Sequence, residues 1–131
     1  SHIYSTALSP VSTAISLAAL DIIKSEPSRR KRVLNLTKKL SNRLSSAGYN
    51  VIPTRSAIIP LIVGPADIAL NLASKLYDHG ILCPAIRPPT VPDGESRLRI
   101  TPIATHTDDQ MDRVMSVFNL INSEFRSGAG Q

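Results

Sequence analysis

The sequence predicts a small α/β unit whose elements run α-α-β-β-α-β-β-α, with strands covered by helices. Three observations carry this reading. Apolar residues recur at helical spacing in four separate segments. Between them the period shortens to brief apolar runs and alternation. Glycine and proline punctuate the joins.

Ser9-Pro10 reads as a helix start, a hydroxyl N-cap followed by proline at the first position. Ala14, Ile15, Ala18, Ala19, Ile22 and Ile23 form the apolar face of that helix. Pro27 ends it, and Ser28 is placed to cap the next. The second stripe is Val33, Leu36, Leu40 and Leu44, closed by Gly48. Residues 49–52 predict a short strand. Residues 57–63 predict a buried one, in which Pro60 suggests an edge or a bulge. The third helix spans 67–79, with Ile68, Leu72 and Leu76 on one face and Gly80 after it. A strand over 81–86 leads into a loop over 87–94, where three prolines remove donors and fix φ. Residues 97–103 alternate Arg97, Leu98, Arg99, Ile100 and predict a strand with both arginines on one face. Thr107 caps the last helix, and Asp108 and Asp109 suit its first turn. Its core face is Met111, Val114, Met115, Phe118, Ile121 and Phe125, and 127–131 form a frayed tail.

Length and composition fit one domain with one modest core: 131 residues, 42% hydrophobic and 19% charged. With aromatics at 4% and no Trp, that core is built from Leu, Ile, Val and Ala. A single cysteine, Cys83, excludes an internal disulfide and fits a reducing compartment, so a cytoplasmic setting is expected. No apolar run reaches the length of a membrane span, so no membrane partner is expected. The chain lacks an initiator Met, and we expect a partial sequence. Net charge is +5, and eight of 15 cations lie between Lys24 and Arg43. No aromatic residue interleaves with them to stack on bases, so we read a solvated helix face rather than a nucleic-acid site.

The chemistry concentrates in 87–100. A proline-stiffened loop loses little entropy on binding a ligand, and it feeds a strand that presents Arg97 and Arg99 together. A guanidinium offers two parallel N–H donors, a fork matched to carboxylate or phosphate. Taken alone, the pair reads equally as a solvated strand face.

Several blocks in fixed order carry a family likeness. They are Tyr4-Ser5-Thr6-Ala7-Leu8-Ser9-Pro10, Ile58-Ile59-Pro60-Leu61-Ile62-Val63-Gly64, Gly80-Ile81, Ala85-Ile86-Arg87-Pro88-Pro89-Thr90-Val91-Pro92, Arg97-Leu98-Arg99-Ile100-Thr101 and His106-Thr107. Together they resemble the α-oxoamine synthases, and the Arg87-to-Pro92 block resembles the biotin-pathway branch. The resemblance runs from about Ser1 to Phe125. It implies the small C-terminal domain of a fold-type-I transferase, helices on a small, mostly antiparallel sheet. Residues 1–126 would form that domain, with about 1–25 linking it to a large one. It further implies pyridoxal phosphate (PLP) as cofactor, a homodimer, and amino-acid and acyl-thioester substrates, with L-alanine and a pimeloyl thioester for the biotin branch. Arg99 matches the family's carboxylate-binding arginine, and Arg87 matches a position near the substrate channel. Ser5 and Thr6 match hydroxyls that reach the neighbouring subunit's cofactor phosphate, Thr6 the better of the two.

Ser9 departs from the family's usual proline. The family's Schiff-base lysine, its ring-nitrogen acid and its stacking His belong before Ser1. Lys24, Lys31, Lys38, Lys39 and Lys75 do not match the lysine motif and are read as surface residues, and the chain alone is expected to be inactive. His106 matches a common family His and is read as a capping or packing residue. Cys83 is read as a small buried hydrophobe. No metal spacing appears. Sister synthases using glycine or serine, and a stand-alone non-catalytic α/β module, remain alternative readings.

Overall fold

The computed structural model describes residues 8–128, with side chains described through residue 122. The elements are α1 (Pro10–Ser25), α2 (Pro27–Ser46), β1 (Asn50–Val51), β2 (Ile59–Gly64), α3 (Ala66–Asp78), β3 (Ala85–Ile86), β4 (Ser96–Ile100) and α4 (Asp108–Gly128). That is the expected order. The strands form one sheet in the order β1-β2-β4-β3, antiparallel at every pairing.

Leu36, Leu40 and Leu44 of α2, Leu72 and Leu76 of α3, and Met111, Met115, Phe118 and Ile121 of α4 close over Ile59, Leu61, Leu98 and Ile100 of the sheet. Burial alternates along β4, so Ser96, Leu98 and Ile100 face the helices while Arg97 and Arg99 face away. Among the described residues, three helices thus cover one sheet face and leave the other open.

The C-terminal ends of α2 and α3 are Schellman motifs. After α2 the Tyr49 N–H donates to the Leu44 carbonyl (3.1 Å) and Gly48 to Ser45 (3.0 Å). After α3, Ile81 donates to Leu76 and Gly80 to Tyr77, both at 2.8 Å. Gly48 (φ 89°) and Gly80 (φ 78°) supply the left-handed turn that L side chains avoid. The start of α4 is a capping box. The Gln110 N–H donates to Thr107 Oγ1 (3.2 Å), and the Thr107 N–H to Gln110 Oε1 (2.9 Å).

Several expectations need correction. The apolar face of α1 buries nothing: every α1 residue is exposed, and the contact it makes with the adjoining α2 covers none of them. Ser9 does stand at the N-cap of α1, but its hydroxyl makes no capping bond. Ser28 does not cap α2, which begins at Pro27, where proline's fixed φ starts the helix without a side-chain cap. On α3 the inward residue is Ala69, while Ile68 is 41% exposed. The strand expected over 81–86 shrinks to two residues, since Pro84 has no N–H to donate. β4 stops at Ile100, before Pro102.

Pro60 sits in an interior strand, not at an edge. Its carbonyl accepts the Ile52 N–H (3.0 Å), so its N–H-less side faces β1, which has already ended. The expected bulge comes later, between Ile62 and Gly64 opposite Ser96. Gly64 adopts φ 104° there. Phe125 and residues 129–131 lie outside the described side chains or residues.

Candidate carboxylate site on the open sheet face

Cross-strand pairing places Pro60 opposite Arg99, and Ile62 and Ile86 opposite Arg97. The open face is therefore a half-buried apolar floor carrying two guanidinium groups. The two arginines differ. Arg97 Nε donates to the Glu95 carbonyl (3.0 Å) and its Nη2 to Glu95 Oε2 (2.9 Å), and the Arg97 side chain is 22% exposed. The Arg99 guanidinium is exposed and has no hydrogen bond or ion pair among the described residues. Its backbone is fixed, since its N–H donates to the Pro84 carbonyl at 3.0 Å. Arg99 is thus a cation on a rigid strand with its donors unused.

Arg87 stands one residue beyond β3, exposed, with only a 3.5 Å contact from Nη1 to the Pro88 carbonyl. No hydrogen bond brings it to Arg99. Ser5 and Thr6 lie outside the described residues. The five lysines all stand on helices, Lys24 on α1, Lys31, Lys38 and Lys39 on α2, and Lys75 on α3, none on the open sheet face.

Two residues escaped sequence reading. Glu95 is one; its place two residues before Arg97, on the same side of an extended chain, was the available signal. Arg32 is the other. Its Nε donates to the Ala104 carbonyl (2.9 Å) and its Nη2 to that of His106 (2.8 Å). It ties the segment after β4 to α2, and no local pattern announces a contact 72 residues away. His106 Nδ1 accepts the Ile103 N–H (3.2 Å), a packing role. Within the rest of the basic run, Arg29 pairs with Glu26, Lys39 with Asp108 and Arg43 with Asp112.

A cavity of about 360 Å³ opens on the helix side, walled by Leu40, Cys83, Ile100, His106, Met111 and Phe118. It includes neither β4 arginine. Cys83 is buried, and desolvation pushes its thiol up to about 12, which keeps it protonated and unreactive. No helix among the described residues is long and apolar enough to cross a membrane.

Known proteins share both sequence and shape with this chain. It is 44% identical over 124 residues to 8-amino-7-oxononanoate synthase of Lysinibacillus sphaericus, covering 95% of the chain and 32% of that protein. It is 47% identical over 112 residues to a putative 8-amino-7-oxononanoate synthase of Acetivibrio thermocellus, covering 86% of the chain and 29% of that protein. The chain therefore spans about 30% of the length of the curated relatives it matches. A serine palmitoyltransferase variant from S. paucimobilis, solved with a bound PLP–myriocin aldimine, superposes with a TM-score of 0.84 at 25% identity, over 91% of this chain and 30% of that one. An 8-amino-7-oxononanoate synthase from Francisella tularensis shares the fold, with a TM-score of 0.75 at 21% identity over 95% of the chain and 36% of that one. The family model for aminotransferase class I and II matches residues 1–118, and the chain belongs to that family.

Proposed function

We propose that this chain is the C-terminal part of a PLP-dependent acyltransferase, and that Arg99 binds the carboxylate of its amino-acid substrate. The observation that carries this is the contrast within β4: Glu95 holds Arg97, while Arg99 keeps an unused fork on the open face. The curated relatives, named 8-amino-7-oxononanoate synthases, support a PLP-dependent acyltransferase. The specific reaction we propose joins an amino acid to an acyl thioester with loss of carbon dioxide, with L-alanine and a pimeloyl thioester as substrates in biotin biosynthesis.

PLP supplies an electron sink for negative charge at the amino acid's α-carbon. The residues of this chain orient the substrate. A bidentate grip on the carboxylate would fix the rotation about the bond from the amino nitrogen to the α-carbon, and so select which α-carbon bond is held for cleavage. Positioning of this kind lowers a barrier by several kcal/mol. On this reading the lysine that anchors the cofactor lies outside the chain, and the chain alone is inactive. The exposed apolar helix α1 supports this, since a lone 16-residue helix is marginal in water and its apolar residues suit packing on another body. Ser5 and Thr6 are proposed to reach the cofactor phosphate of a second subunit in a homodimer, with Arg87 at the substrate channel.

The test is kinetic, in the intact PLP-loaded protein. Arg99→Ala raises the alanine KM roughly 10- to 100-fold, the worth of charge-assisted hydrogen bonds. Arg99→Lys recovers part, because an ammonium keeps the charge and loses the fork. An unchanged KM in Arg99→Ala removes the assignment.

A further inference from the structure

We infer that Glu95 sets the substrate charge that the open face accepts: by occupying Arg97 it leaves one available guanidinium and restricts the amino acid to a single carboxylate. The inference rests on the Arg99 reading and extends it to specificity.

Arg97 and Arg99 share a face two residues apart, a separation of ~6.7 Å along a strand. Two unpaired guanidiniums at that spacing form a clamp for a dicarboxylate, such as an amino acid whose side chain ends in a second carboxyl group. Glu95 closes half of the clamp. Its main-chain and side-chain oxygens take the Nε and Nη2 donors of Arg97 at 3.0 and 2.9 Å. Ile62 and Ile86 lie opposite Arg97 on the flanking strands, and Arg97 is the more shielded member of the pair, at 22% against 57% for Glu95.

An exposed ion pair contributes little to stability, and the role of this one is competitive. A carboxylate tethered two residues away acts at an effective concentration on the order of millimolar or above, so a ligand's second carboxylate must displace it. A ligand with one carboxylate meets no such competitor at Arg99. Glu95 does not touch the substrate in this scheme. It is a positioning residue that acts through Arg97.

The test measures dissociation constants of L-alanine, L-aspartate and L-glutamate by calorimetry on the intact PLP-loaded protein. Glu95 is exposed and outside the core, so Glu95→Ala leaves the fold intact. The expected result is that Glu95→Ala tightens L-glutamate or L-aspartate roughly 10-fold or more relative to L-alanine. Glu95→Asp keeps the carboxylate and most of the discrimination. The double variant Glu95→Ala/Arg97→Ala loses the gain. Unchanged dicarboxylate affinity in Glu95→Ala, or a gain that survives removal of Arg97, overturns the inference. Arg99→Ala is measured in parallel. If it weakens alanine while Glu95→Ala gains nothing, only the Glu95 inference fails. If it leaves alanine unchanged, the Arg99 reading fails and takes this one with it.

Discussion

Arg99 and Pro60 face each other as a non-hydrogen-bonded pair of the β2–β4 ladder. Arg99 turns its N–H toward Pro84 and Pro60 turns its carbonyl toward Ile52, so neither directs a backbone polar group at the other. In such pairs the side chains approach closely, and a proline ring beside the arginine stem narrows the stem's freedom. A central strand tolerates proline at this register, where β1 has ended.

The buried hydroxyl of Ser96 has no partner among the described residues. An unsatisfied buried polar group costs free energy that an alanine of similar size does not. Ser96→Ala is therefore expected to leave stability unchanged or raise it by up to about 2 kcal/mol in urea unfolding. A loss above about 1 kcal/mol would show that Ser96 is satisfied in solution.

The capping box at Thr107 satisfies one of the four free N–H groups at the start of α4. Thr107→Ala is expected to lower stability by about 1 kcal/mol, whereas Ser28→Ala, at a position that caps nothing, is near neutral. Equal losses from the two would contradict the assigned helix starts.

Phe118 is fully buried, and its ring meets that of Tyr49 edge to face at 5.2 Å and 83°. The Tyr49 hydroxyl donates to the Phe118 carbonyl at 2.7 Å. Phe118→Ala removes a large side chain from the centre of the core and is expected to cost about 3–5 kcal/mol. Thermal unfolding measures it, and a cost near zero would displace Phe118 from the core.

Burial raises the Cys83 thiol from an ordinary 9.0 to about 12. The folded pKa is the higher one, so the protonated thiol contributes stability that is complete below about 9. It is lost as pH rises toward 12. Cys83→Ala is expected to flatten that part of the stability profile, and the native thiol should resist alkylating reagents at pH 8. Rapid alkylation of the native protein would place Cys83 at the surface.

The order of all eight elements was legible because each has its own hydrophobic period and is fenced by glycine or proline. The Thr107 cap and the inward alternation of Leu98 and Ile100 were legible for the same reason. What escaped depended on tertiary context. Nothing local says that the apolar residues of α1 stay exposed among the described residues. Ile68 lost its inward place to Ala69 because packing against the sheet selects the face of α3. The two arginines of β4 were legible as a pair, but their inequality is set by Glu95, whose contact requires the turn before Ser96 to be in place. Arg32 reaches Ala104 and His106 only once α2 and α4 have docked.

The most direct test of carboxylate binding compares L-alanine with L-alaninamide, in which a neutral carboxamide replaces the carboxylate. Dissociation constants are measured for the intact PLP-loaded protein with Arg99 and with Arg99→Ala. The native protein should prefer alanine by roughly 10-fold or more, and the variant should show no preference. Equal preference in both proteins would contradict the assignment of Arg99 as the residue that binds the substrate carboxylate.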